Sequence, residues 1–111
     1  AKLALGSDFP VESVDPRRGL HAAVTRQDGH DAPAGGWMPD QRLSAAEALR
    51  GFTADAAWAA HDEAEVGKLA PGLRADFVIL DEDPLAVPGE QLDALHVRST
   101  WVDGKPVYEA K

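Results

Sequence analysis

Apolar positions fall unevenly along the chain, and their spacing divides it into two neighbourhoods. Leu3, Ala4 and Leu5 follow one another without a polar break, the pattern of a strand buried on both faces, and the run ends in Gly6-Ser7-Asp8-Phe9-Pro10. Asp15-Pro16 has the chemistry of a helix start, an Asp N-cap with proline in the first turn. Leu20, Ala23 and Val24 come after it at helical spacing, which predicts a helix over about Pro16 to Arg26, with Gly19 as its weak point. Gln27 to Arg42 holds Gly29, Pro33, Gly35, Gly36 and Pro39 and reads as a long loop, with Trp37 and Met38 as its apolar anchors. Ser44 and Glu47 form a capping box, and Leu43, Ala46, Leu49 and Phe52 keep the helical period behind it. A second short helix, capped by Thr53 or Asp55, is predicted through Ala60.

The pattern changes after Glu65. Val66 to Leu69 resembles a short strand entering a Pro71-Gly72 turn. Asp76 to Asp81 is an apolar run bounded by charge, a strong strand signal. Asp83-Pro84 and Pro88-Gly89 mark a connecting segment. His96 to Val102 predicts another strand, Asp103-Gly104 a hairpin turn, and Pro106 to Glu109 the return strand. Helices first and strands last is not a βα alternation, so two structural neighbourhoods are expected, residues 1–65 and 66–111.

Composition narrows the possible roles. The formal net charge is -8, with acidic residues spread along 111 positions. Phosphate binding needs clustered Lys and Arg, so nucleic acid and anionic lipid are poor partners. The chain has no cysteine, which excludes disulfides, thiol nucleophiles and Cys-type zinc sites and agrees with a cytoplasmic setting. No apolar run approaches the ~20 residues of a membrane helix. The chain starts at Ala1 and its one methionine is Met38, so its natural start is expected to lie elsewhere.

Several strings resemble metal-dependent amidohydrolases, and most closely amidohydrolase family 3, the group that includes N-substituted formamide deformylases. Gly6-Ser7-Asp8-Phe9-Pro10-Val11 is similar to the end of that family's last barrel strand. Asp15-Pro16, Ala22 to Arg26 and Leu43 to Leu49 also resemble it. Gly67 to Asp81 is similar to a stretch of the small β-sandwich beside the barrel, and Val102 to Tyr108 to the sandwich's terminal hairpin. The resemblance implies an α/β-plus-β fold: residues 1–65 as the last βα unit and trailing helices of a TIM-type barrel, and 66–111 as the C-terminal part of the sandwich. It implies a longer parent that hydrolyses C–N bonds of amides, formamides or cyclic amides with a divalent metal, zinc, and no ion held by this segment alone. The family's His-x-His pair, bridging ligand and two later histidines have no counterparts in this chain.

Asp8 is the one residue to which the resemblance assigns chemistry, as metal ligand and proton acceptor. By pattern alone the commoner job of such an aspartate is to cap a turn before Pro10; the resemblance reverses that preference. Ser7 lacks a nucleophile elbow and a base. The four histidines, His21, His30, His61 and His96, show no metal-ligand spacing. His30 and Trp37, both in the long loop, are the substrate-binding candidates. Trp58 and Trp101 read as packing residues, and the acidic stretches Asp62 to Glu65 and Asp81 to Asp83 as solvated turns. The alternative is a non-catalytic α+β module that binds a partner or self-associates through an exposed sheet edge.

Overall fold

The computed structural model describes residues 1–111. Three helices precede a three-stranded sheet. Helix α1 spans Pro16–Thr25, α2 Ala45–Phe52 and α3 Ala54–Ala59; strands β1 (Phe77–Leu80), β2 (Val97–Val102) and β3 (Lys105–Glu109) follow. The sheet is antiparallel in the order β1-β2-β3. No membrane-crossing helix is present: none is long and apolar enough.

The helix starts are set by their caps. Asp15 Oδ1 accepts the Arg17 N–H at 3.0 Å, and the Ser44–Glu47 capping box is complete in both directions. Thr53 breaks with expectation: it precedes α3 but makes no side-chain cap. Its hydroxyl instead donates back to the Leu49 carbonyl at 2.7 Å, closing α2 rather than opening α3. Gly19, inside α1, is explained by packing. A Cβ there would lie 2.4 Å from the Phe52 ring, so its absence lets α2 lie close against α1.

The core is thin. Leu20, Ala48, Leu92 and Leu95 form its buried cluster, with Val24, Leu43, Phe52, Leu80 and Val87 partly buried against it. Leu92 sits in a 3-10 segment, Gly89–Ala94, where the sequence suggested only a connection. That segment packs along α1 and joins the helices to the sheet.

Two expected strands are not formed. Leu3–Leu5 has no strand beside it in this chain, and its backbone is held only by the Leu5 N–H, which donates to the Gly51 carbonyl at 3.0 Å. Continuous apolarity describes a strand's neighbours as well as the strand, and the neighbours are not in these residues. Val66 to Lys68 form a bend, with Gly67 at a φ of +98°. The Pro71-Gly72 turn does form, closed by the Leu73 N–H on the Ala70 carbonyl.

β1 and β2 pair Phe77 with Trp101 and Val78 with Thr100. The Phe77 and Trp101 rings stack at 5.5 Å with planes 9° apart. At the β2–β3 hairpin Asp103 and Gly104 both take positive φ, the requirement of a tight turn matched to sheet twist. Asp76 secures it by accepting the Asp103 N–H at 2.7 Å.

Arg17 ties α1 to the start of β2. Its guanidinium grips Asp15 at 2.7 and 2.9 Å and also donates to the Leu95 carbonyl. The hydrogen bond from Arg17 holds the Asp15 carboxyl below the usual carboxylate range, and this outweighs the opposing effect of burial. A carboxyl lowered in the native state adds stability above its unfolded value of about 3.9, and that stability is lost as pH falls through the native value. Asp15→Ala is therefore expected to cost about 1 kcal/mol at pH 7. Urea melts at pH 7 and pH 3 should differ less in the variant than in the parent chain. An equal acid loss in both would contradict this role.

Candidate functional site

The segment that carries Asp8 is seated on the second and third helices. Gly51 in α2 receives it: a Cβ at Gly51 would lie 2.9 Å from the Leu3 carbonyl oxygen and 2.9 Å from Leu5 Cγ and Cδ1. Glycine inside a helix costs about 1 kcal/mol relative to alanine, so close approach of the Leu3–Leu5 backbone accounts for its presence. At the other end of the seat the Lys2 ammonium lies 4.4 Å from the centre of the Trp58 ring.

Beyond Leu5 the chain turns sharply. The Ser7 carbonyl accepts the Glu12 N–H at 3.2 Å and the Asp8 carbonyl accepts the Val11 N–H at 2.9 Å. Ser7 Oγ accepts the Phe9 N–H at 3.3 Å. Asp8 has a φ of +50°, a left-handed conformation that Asp tolerates better than most residues. Asp8 does not cap the turn with its side chain. Its backbone closes the turn, while its carboxylate is exposed and enters no hydrogen bond or ion pair within the chain. A cleft of about 250 Å³ lies beside the turn, lined by Gly6, Ser7, Glu12, Ser13, Asp15 and Phe52 among others.

His30 and Trp37 do not join this site by any hydrogen bond or ion pair. The His30 side chain is 93% exposed, with Asp28 4.0 Å away. The Trp37 backbone donates to the Arg26 carbonyl at 2.8 Å and accepts from Arg26 Nε at 3.0 Å. Its ring, 62% exposed, has the Arg26 guanidinium 5.1 Å from its centre. Trp37 is thus anchored by a cation rather than by apolar packing. Trp58, 45% exposed, also has a cation over its ring, and Trp101 packs on Phe77 as expected.

The long loop is internally ordered. Asp28 Oδ1 accepts the N–H groups of His30 and Ala32 at 2.8 and 3.1 Å, which draws the Asp28 carboxyl below its usual range. His21, buried in α1, holds the loop through Nε2 and Asp31 Oδ1 at 3.0 Å. His96 sits with Asp81 at 3.1 Å, and its backbone N–H lowers the Asp81 carboxyl. These partners make His21 and His96 structural. The partnership of His21 with Asp31, ten residues away across a loop, had no signal in spacing.

No three His, Asp or Glu side chains converge to hold a metal ion. A protein metal site of the zinc type needs three or four protein donors. Even with Asp8 counted as one donor, the residues of this chain do not by themselves fit a metal.

Comparison with known proteins places this geometry in a family. The amidohydrolase family model matches residues 1–108. The chain is 36% identical over 104 residues to YtcJ of Bacillus subtilis, covering 94% of this chain and 20% of that one. It is 39% identical over 108 residues to LONG AFTER FAR-RED 3 of Arabidopsis thaliana, covering 97% and 18%. It is 35% identical over 108 residues to the N-substituted formamide deformylase of Arthrobacter pascens, covering 97% and 19%. The chain therefore spans about a fifth of the length of the curated relatives it matches. In fold it is similar to an amidohydrolase from Thermotoga maritima, with a TM-score of 0.64 at 19% identity over 99% of this chain and 24% of the other. It is similar also to E. coli guanine deaminase, with a TM-score of 0.68 at 23% identity over 100% and 28%. By its family match over nearly every residue, the chain belongs to the amidohydrolase family.

Proposed function

We propose that this chain is the C-terminal part of a hydrolase acting on C–N bonds of amides, formamides or cyclic amides, with Asp8 as its single contribution to the catalytic residues. The observation that carries the reading is the Asp8 carboxylate, exposed and unpartnered at the end of a segment clamped onto α2. Family membership and a relative named as a formamide deformylase support the reaction class. On this reading residues 1–65 close the barrel and 66–111 complete the sandwich. A divalent metal, zinc, would take Asp8 as one donor and draw its remaining donors from outside these residues. His30 and Trp37 are kept as substrate-loop residues only, since their positions on an ordered loop give them a surface but no partner.

The test compares two proteins against formamide and cyclic amide substrates with added zinc. The 111-residue chain alone is expected to release no amine above background. A longer polypeptide that ends in this segment is expected to do so. Zinc-stimulated hydrolysis by the short chain would overturn the reading.

A second reading rests on the sheet. β1 and β3 are both edge strands, and Val78, Val107 and Tyr108 on them are 53%, 61% and 52% exposed. Such edges invite strand addition, which fits a binding module. Hydrolysis lost on changing Asp8 favours the enzyme; concentration-dependent association with no hydrolysis by any longer form favours the module.

A further inference from the structure

We propose that Gly51 is a positioning residue for Asp8, an inference that rests on the reading of Asp8 as a catalytic group. The argument is one of space. The Asp8 segment meets α2 through the Leu5 N–H on the Gly51 carbonyl at 3.0 Å and the close pass of the Leu3 and Leu5 atoms over Gly51. Any side chain at position 51 meets the Leu3 carbonyl oxygen, a backbone atom, and Leu5 Cγ and Cδ1, all at 2.9 Å. Contacts that short force a shift. The Leu5 side chain can turn aside, but the Leu3 carbonyl can move only if the segment lifts off α2.

The segment is the stalk of the Asp8 turn. From Leu5 the chain passes Gly6, where nothing lies within 4 Å of a built Cβ, and enters the turn closed by the Ser7 and Asp8 carbonyls. Only Gly6 and Ser7 separate Leu5 from Asp8, so a lift at Leu3–Leu5 shifts the base of the turn that carries the carboxylate. Catalytic groups tolerate little of this, since a misplacement of about 1 Å costs about a hundredfold. Gly51 acts on the reaction without touching it.

The experiment uses Gly51→Ala in the hydrolase that carries this segment. The expected result is a fall in kcat of tenfold or more with KM within twofold. Amide resonances of Gly6 to Phe9 should shift while those of β2 stay in place. Leu5→Ala in the same protein removes two of the three close contacts but leaves the Leu3 carbonyl in the way, so the double variant should keep kcat within threefold of Gly51→Ala. Unchanged kcat and unchanged Gly6 to Phe9 resonances in Gly51→Ala would overturn the proposal, as would a double variant restored to the parent kcat. Should Gly51→Ala not fold, hydrogen exchange in the unsubstituted protein decides. The Leu5 amide must exchange more slowly than those of Ala4 and Gly6, and equal rates would remove the anchor on which the inference stands. Asp8→Asn separates the two layers: full activity there sinks the catalytic reading itself, whereas its loss beside an unaffected Gly51→Ala sinks only the positioning role.

Discussion

Asp8→Asn is expected to lower hydrolysis of a formamide or cyclic amide by about a hundred- to ten-thousand-fold, the usual worth of a positioned proton-handling group. The fold should be untouched. The carboxylate is exposed and bonds to nothing in the chain, so no partner is orphaned by its loss. Its φ of +50° suits asparagine as well as aspartate, and the turn is closed by backbone carbonyls that the substitution leaves alone. Thermal melting within a degree or two of the parent, with kcat/KM at least a hundredfold lower, is the signature of a chemical role. A variant with undiminished kcat/KM would return Asp8 to the plain turn residue that its local pattern also allows.

The largest effect on stability is expected from Leu92→Ala. Leu92 is 1% exposed and is the one large side chain that is fully buried. It lies where α1, α2 and the segment before β2 meet, against Leu20, Ala48 and Leu95. Truncating a buried leucine costs about 2–5 kcal/mol, depending on how far the site can collapse. Small domains have about 5–15 kcal/mol in total, and only ten of the 111 residues are buried here. The variant should lose its cooperative urea transition or shift it strongly, whereas Val107→Ala, at a site 61% exposed, should stay within about 0.5 kcal/mol. Equal small effects at both positions would show that the packing around Leu92 does not hold the helices to the sheet.

The parts of the fold that were legible in the sequence are those fixed by local chemistry. The Ser44–Glu47 box, the Asp15-Pro16 start and the Asp103-Gly104 turn each satisfy backbone groups within a few residues, so the residues that decide them stand side by side. The Phe77–Leu80 strand was legible because its charged flanks bound a short apolar run. Leu3–Leu5 forms no strand within these residues, because a strand is a relation between two segments and apolarity records only one of them. Val66–Leu69 failed for the opposite reason: the positive φ at Gly67 is a backbone property that hydrophobic pattern does not express. The 3-10 turn around Leu92 carries too few apolar positions to show a period.

The candidate site divides in the same way. Asp8 is singled out as a candidate by the order of several motifs, none decisive alone. The cradle at Gly51 was not found, since it depends on contact between residues almost fifty positions apart. The role of Trp37 as an apolar anchor was misjudged because its neighbour in space is the Arg26 guanidinium, and cation–aromatic pairs leave no periodic trace. His21 and Asp31 meet only because the loop folds back on α1.

The central claim is tested most directly by a diffraction structure of the longer polypeptide, with anomalous scattering collected at the zinc edge. The account predicts an Asp8 carboxylate oxygen about 2.0–2.2 Å from the anomalous peak, with the Leu3–Leu5 backbone still resting on Gly51. An ion held wholly by other residues, with the Asp8 carboxylate facing bulk solvent, would contradict it.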